Sequence, residues 1–195
     1  IMGNRRIGRK RLYAVEKAGQ LVDLESGAGI ASAIKAATQH RNGQEIITEI
    51  QIDLAASTGV CKGGNGVKKV VGIKGSTAPA YITQLSVAKF GIITEIRCVC
   101  VESLTTAVKL TDVMTDNDGT KALGDLLGSS EIVVCDNDGV IGDDQANTNT
   151  FDGNMQDSTP AYLYLANGGS NTSNSDFAEG KFLIYIHGMV APADL

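Results

Sequence analysis

The stretch "EIITEIQIDL", Glu45–Leu54, decides the fold class, because its residues alternate in character along its whole length. One set of alternate positions is apolar apart from a threonine: Ile46, Thr48, Ile50, Ile52 and Leu54. The other set is mostly polar: Ile47, Glu49, Gln51 and Asp53. Since successive side chains of a strand point to opposite faces, this pattern predicts a strand with one buried face and one solvated face.

The five letters IITEI return at Ile92–Ile96, within "GIITEIRCVC". The flanking residues of the two copies differ, so we interpret them as two strands of one sandwich and not as a duplicated module. In the second copy we expect Ile92, Thr94 and Ile96 to face inward. The "CVCV" run that follows predicts burial on both faces, as in an inner strand.

Short apolar runs separated by turn residues extend this β pattern along the chain. Further strands are predicted at 69–73, 80–91, 107–110, 131–135, 161–165 and 181–187. Asn-Gly and Asp-Gly dipeptides predict tight turns at 42–43, 65–66, 118–119, 138–139, 152–153 and 167–168. The apolar spacing of 30–37 predicts a short helix, although "AIKAATQHRNG" could also run extended into the next strand. "KALGDLLG", 121–128, allows one or two helical turns.

These elements predict an all-β fold: a jelly-roll-like β-sandwich with one or two short helices and an extended N-terminal arm. We expect two parts, a basic arm and lead-in at 1–25 and the β-sandwich domain at 26–195. The polar stretch 142–159 has only three apolar residues and predicts an exposed loop that could face a partner.

Charge is distributed unevenly between the arm and the body of the chain. The first eleven residues hold five cations and no acid: Arg5, Arg6, Arg9, Lys10 and Arg11. Because the whole chain carries a net charge of −5, the rest of the chain carries −10. This asymmetry predicts an arm that docks on an acidic partner, with a solvated tail as the alternative. Nucleic acid is an unlikely partner, since no aromatic residues are interleaved with the cations and the body would repel phosphate.

No residue pattern predicts catalysis, a cofactor or a bound metal. The four cysteines, Cys61, Cys98, Cys100 and Cys135, include no CxxC pair and are interpreted as buried, reduced thiols of a protein made in a reducing cytoplasm. Neither His40 nor His187 has a nucleophile in a recognisable motif. The chain has no apolar stretch of about 20 residues that could span a membrane, and we find no secretory signal.

Two motifs leave alternatives open. "DNDG" at 116–119 and again at 136–139 is compatible with a calcium site, or with turns whose aspartates cap their own backbone. "GGNG", Gly63–Gly66, followed by Lys68 and Lys69, is compatible with an anion cradle or with a simple β-turn.

Three segments carry a resemblance to a known family: Ala37–Leu54, Lys89–Glu102 and Ala161–Gly188. Together they resemble small virion structural proteins of tailed phages, a family common among marine and cyanobacterial phages. The resemblance implies a capsid cement or decoration protein with a β-sandwich fold, located in the virion. Its implied partners are the major capsid protein and further copies of itself, with a trimer favoured. The alternatives are a tail, neck or fibre-like assembly protein, or a carbohydrate- or calcium-binding module.

Overall fold

The fold is known from a computed structural model. It describes residues 20–55, 60–104, 111–128, 132–135, 144–147, 160–168 and 176–190, with the backbone alone at 111, 132–135 and 144–147. Several predicted features lie outside these residues: the cations Arg5–Arg11, the strand at 107–110, the second DNDG turn and most of the loop at 142–159.

Within the described residues the chain forms twelve strands. The first six are β1 (Gln20–Leu21), β2 (Ile34–Asn42), β3 (Glu45–Asp53), β4 (Cys61–Lys62), β5 (Gly72–Ile73) and β6 (Tyr81–Leu85). The last six are β7 (Ile92–Glu102), β8 (Thr111–Asp116), β9 (Ile132–Cys135), β10 (Asp144–Asn147), β11 (Ala161–Asn167) and β12 (Lys181–Met189). Helical structure is limited to a 3-10 turn at Ala31–Ala33 and to α1, Val87–Phe90. The prediction of an all-β fold is therefore confirmed.

The strands form three antiparallel sheets. A six-stranded sheet has the order β1-β2-β3-β12-β7-β10, and a four-stranded sheet has the order β6-β11-β8-β9. The third sheet is the short pair β4-β5. One continuous hydrophobic cluster takes residues from both large sheets, such as Ile50 and Ile184 from the first and Met114 and Leu163 from the second.

The prediction for β3 is confirmed residue by residue. Its five predicted inward positions are at most 3% exposed, and the four alternate positions are all more exposed than this set. The hairpin that joins β2 to β3 turns at Asn42-Gly43, where Gly43 has a φ of 64° that favours glycine. Pairing with β3 also explains why 34–42 forms a strand, so that the predicted helix is wrong beyond the 3-10 turn and the extended alternative holds.

The prediction for β7 is wrong in two respects. Ile93, not Ile92, is buried, while Ile92 is 41% exposed and Thr94 is also exposed. The pairing of β7 with β12 shifts at His187/Gly188, which leaves Thr94 as an extra residue and reverses the faces of the residues before it, whereas Ile96 is buried as predicted. The "CVCV" run is also buried on one face only, because Cys98 and Cys100 are buried but Val101 is 43% exposed.

Two strands have consecutive buried residues on both faces, β8 from Asp112 to Asp116 and β11 from Leu163 to Asn167. The strand β6 flanks only the first half of β11. Beyond Tyr164 the segment Lys68–Val71 takes the place of β6, with the Val71 amide donating to the Leu165 carbonyl at 2.8 Å. This neighbouring segment lies about a hundred positions earlier in the chain, so no local pattern could reveal the pairing.

Two further segments differ from their predicted structure. The run 80–91 divides into β6 and α1, because the Ser86 hydroxyl caps the Lys89 amide and Gly91 ends the helix with a φ of 70°. Residues 121–128 form turns and isolated bridges and no helix, because Gly124 has a φ of 82° and the Asp125 carboxylate accepts from the Ala122 amide at 2.8 Å.

Candidate interaction surface

Charged side chains from three neighbouring strands converge on the outer face of the six-stranded sheet. We define the acidic face as the side chains of β3, β12 and β7 that point away from the core. On β12 these are Lys181, Leu183, Tyr185, His187 and Met189, which alternate with the buried residues of the same strand. Their direct partners on the two flanking strands share the face, because opposite residues of paired strands point the same way.

Carboxylates dominate the charge of the acidic face. Five acids lie on it: Glu45, Glu49 and Asp53 on β3, and Glu95 and Glu102 on β7. Arg97 and Lys181 are the bases that share these strand positions. The paired strands therefore place negative charges on both sides of β12. In the sequence these five acids are spread over 58 positions, from Glu45 to Glu102.

Glu49, in the middle of β3, and Glu95 on β7 are the acids of the face most available to a partner. Glu102 forms an ion pair with Lys181, and the hydrogen bond from that lysine raises the pKa of Lys181. In contrast, Glu49 accepts a hydrogen bond from Gln51 at 2.9 Å but forms no ion pair with another described residue. Glu95 likewise has no ion-pair partner within the described ranges, so both carboxylates can receive an external cation.

Apolar groups lie beside these carboxylates, toward the hairpin end of the sheet. Ile92 and Met189 are direct partners on β7 and β12, and both are among the exposed large hydrophobic residues. Ile47 on β3 is half-buried opposite His187, whose Nδ1 lies 3.4 Å from Oε1 of Glu45. A partner for this end of the face would therefore need cations together with some apolar groups.

Among the described strands, β1 forms one edge of the six-stranded sheet, where the predicted arm joins it. β1 is the terminal strand of the six-stranded sheet, and its Leu21 is 84% exposed. Gln20 pairs with Gln39 and Leu21 with Thr38, so the chain reaches β1 from the end of the sheet that carries the β2–β3 hairpin. The predicted docking residues Arg5, Arg6, Arg9, Lys10 and Arg11 precede this point and lie outside the described residues.

The first DNDG motif is organised by its own backbone. Asp116 accepts from the amides of Asp118 and Gly128 at 2.8 and 2.6 Å. Asp118 accepts from the amide and hydroxyl of Thr120, and these hydrogen bonds lower the pKa of Asp118. The capping alternative therefore describes this turn, and the described residues hold no group of three potential metal ligands among His, Cys, Asp and Glu.

The GGNG motif is arranged around Asn167, a residue whose role the sequence did not reveal. The Asn167 amide donates to the carbonyl oxygens of Gly64 and, at 3.2 Å, Gly66. A Cβ on Gly63 would lie 2.4 Å from Oδ1 of Asn167, so glycine is needed for this close approach. The motif is thus a turn that packs on the end of β11. The sequence signal for this contact was the dipeptide Asn167-Gly168, from which only a turn was predicted.

The cysteines and histidines are not brought together as a nucleophile and base. Cys61, Cys98 and Cys100 are buried free thiols, as predicted, and burial raises the pKa of Cys61 to about 12. His40 and His187 instead lie on the acidic-face side of the sheet, both opposite Ile47. The side chain of Cys135 lies outside the described part of the structure.

Comparison of the chain with protein-family models, with curated proteins and with solved structures gave no match. The described part of the chain holds no helix with the length and hydropathy that crossing a bilayer requires.

Proposed function

We propose that this protein is a non-enzymatic virion structural protein, most specifically a capsid cement or decoration subunit. In this proposal it is made in the host cytoplasm, binds the major capsid protein and associates with further copies of itself, with a trimer favoured. The basic arm and the acidic face are the two surfaces through which these contacts form.

The observation that carries the proposal is the strand order of the two large sheets. Eight strands, β3 and β6–β12, form the sheet orders β3-β12-β7-β10 and β6-β11-β8-β9. When these eight strands are counted from one end of the chain, the orders become 1-8-3-6 and 2-7-4-5. We infer from this order a jelly-roll topology, the double Greek-key architecture that viral capsid domains share with lectins and cupins.

Because a fold of this kind hosts several functions, the choice among them rests on the surface. The body of the chain carries −10 against five cations in the arm, and the acidic face concentrates part of that negative charge. Self-complementary charge on one chain favours assembly of many copies, since each copy supplies both the cationic and the anionic partner. The resemblance of Ala37–Leu54, Lys89–Glu102 and Ala161–Gly188 to phage virion proteins supports the same choice.

The test is binding of the purified full-length chain to empty shells assembled from the major capsid protein of the same genome. We expect co-sedimentation that saturates at a fixed ratio of this chain to the shell subunit. A variant in which Arg5, Arg6, Arg9, Lys10 and Arg11 are all serine should bind more weakly, because it loses the charge-assisted hydrogen bonds of the arm. If the intact chain does not bind the shells at any concentration, the proposed function is wrong.

The second candidate is a tail, neck or fibre-like assembly protein of the same virion class. Among the described strands, β1 ends the six-stranded sheet, and a sheet edge can pair with a strand of the next copy to extend an assembly. Electron microscopy of the purified chain separates the two candidates. Filaments or tubes favour the tail-type function, whereas discrete closed oligomers favour the cement subunit.

The third candidate is a carbohydrate- or calcium-binding module, since lectins share the inferred topology. A ligand selective for the native state raises the melting temperature, so thermal unfolding with calcium, with EDTA and with a sugar panel tests it. An unchanged melting temperature under all these conditions would remove this candidate.

A further inference from the structure

We propose that the acidic face of one copy binds the basic segment Arg5–Arg11 of a second copy, with Glu49 and Glu95 as the principal acceptors. The inference rests on the self-association that the proposed function includes, and it adds the receiving surface and the carboxylates that form it.

The first argument is charge complementarity at a defined place. Glu49 and Glu95 lie on the two strands that flank β12, opposite Tyr185 and His187 respectively. Neither acid forms an ion pair within the described residues, whereas Glu102, at the other end of the face, is already paired with Lys181. The middle of β3 and the neighbouring part of β7 therefore present two anions that an incoming cation can bind without breaking an existing ion pair.

The second argument is spacing. Two strand separations and a two-residue offset place the backbones of Glu49 and Glu95 roughly 12 Å apart. In an extended segment, Arg5 and Arg9 would point to the same side with their backbones roughly 13 Å apart. Between them on that side is Ile7, which would face the half-buried and exposed apolar groups at the same end of the sheet, Ile47 and Met189.

The third argument is the length and attachment of the arm. Fifteen positions separate Arg5 from Gln20, which span up to about 50 Å when extended. A folded chain of this size has a radius of gyration of roughly 16 Å, so the arm is long enough to reach a neighbouring molecule. The chain enters β1 at the end of the sheet that carries the β2–β3 hairpin. To bind the acidic face of its own molecule the arm would have to turn back over the sheet, whereas an arm that continues away from the sheet can meet a second copy.

The experiment is a charge swap that distinguishes binding between copies from binding within one copy. The face variant is E49R/E95R and the arm variant is R5E/R9E, both in the full chain. Sedimentation velocity at low salt measures the mass of each variant alone and of an equimolar mixture. The control is D23N/E179Q, which removes two carboxylates that lie outside the acidic face.

We expect wild type and the control to form the same oligomer, and each swap variant alone to associate at least about tenfold more weakly, as two lost ion pairs would produce. The mixture should again form species heavier than the monomer, because the arm of each variant is then opposite in charge to the face of the other. Recovery in the mixture cannot arise from binding within one copy. High salt should weaken the wild-type oligomer, because salt screens the ion pairs between arm and face. A purely apolar interface would not be weakened in this way.

Three outcomes would overturn the inference: a wild-type chain that stays monomeric, swap variants that associate as wild type does, or a mixture that does not recover. Circular dichroism of each variant checks that it is folded, and the serine arm variant provides a second route to the same measurement because it leaves the sheet unchanged. Self-association is measured without shells, so its failure is separate from a failure of shell binding. A monomer that binds shells would reject only this inference, and an oligomer that does not bind shells would reject only the proposed function.

Discussion

The Asp116 carboxylate accepts a hydrogen bond from the Gly128 amide at 2.6 Å, and this contact closes the turn segment that follows β8. Asp116 is buried, and it also accepts from the Asp118 amide. The carboxylate thus satisfies two backbone donors from two sides of one loop.

We predict that Asp116→Ala lowers the free energy of unfolding by about 1–3 kcal/mol, because it leaves these amides without their acceptor. Urea unfolding followed by circular dichroism measures the change. Glu179→Ala, at an exposed position, is the matched control and should change the stability by less than about 0.5 kcal/mol. Equal effects of the two substitutions would contradict the assigned role of Asp116.

A neighbouring acid should make stability depend on pH. Hydrogen bonds from Thr120, followed in importance by the interaction with Lys121, hold the pKa of Asp118 below its usual 3.8. A folded-state pKa below the unfolded one stabilises the protein above that unfolded value, and the contribution is lost as the pH falls through the folded pKa. We expect the stability difference between wild type and Asp118→Asn to shrink as the pH falls from 5 toward 2, by about the amount that this carboxylate contributes. If the free energies of unfolding of the two proteins change in parallel over that pH range, the turn does not lower the pKa of Asp118.

Close packing of α1 on β12 should make one glycine intolerant of any side chain. A Cβ on Gly188 would lie 1.9 Å from the carbonyl oxygen of Phe90, a backbone atom that cannot rotate away. We expect Gly188→Ala to lower the free energy of unfolding by about 1–3 kcal/mol or more. Gly43→Ala is the comparison, since Gly43 has open space around it and only its φ of 64° is unfavourable for alanine, which costs about 1–2 kcal/mol.

The difference between these glycines can be checked with Asn, which tolerates positive φ in hairpin turns. Gly43→Asn should recover much of the stability that Gly43→Ala loses, whereas Gly188→Asn should be worse than Gly188→Ala. Thermal melts of the four variants give the ranking. A fully stable Gly188→Ala protein would mean that α1 and β12 do not pack this closely.

The buried thiols should be chemically silent in the folded protein. Burial raises the pKa of Cys61 to about 12, and the thiolate is the reactive form, so very little of it exists at pH 8. In a Cys135→Ser background, we expect Cys61, Cys98 and Cys100 to react with a thiol reagent only as fast as the protein unfolds. Labelling followed by mass spectrometry, with and without urea, measures this. Rapid modification of a thiol in the native protein would contradict the burial of that cysteine.

Much of the fold could be predicted because β3 carries its environment in its own pattern. Alternation between Ile46 and Leu54 identified both the strand and its buried face, and Asn42-Gly43 identified the hairpin before it. The same reasoning was wrong for β7, where the bulge at Thr94 reverses the faces. A bulge depends on the register of the neighbouring strand β12, which lies some ninety positions away, so the first three letters of IITEI face opposite ways in the two copies while the last two face the same way.

The candidate surface was predictable only in part. The basic arm was visible as five cations among the first eleven residues, but the acids that could bind it were dispersed among several strands. Asn167 was similarly hidden, because its partners Gly64 and Gly66 lie a hundred residues earlier.

The sequence by itself determined the all-β class, the strand at Glu45–Leu54 with its buried face, and how charge divides between arm and body. These properties follow from side-chain period, glycine chemistry and composition, all of which are local or additive. Only the tertiary structure decided which strands are neighbours, and thereby that β3, β12 and β7 place Glu49 and Glu95 on one face. Strand order depends on packing between distant segments, which no single stretch of the chain encodes.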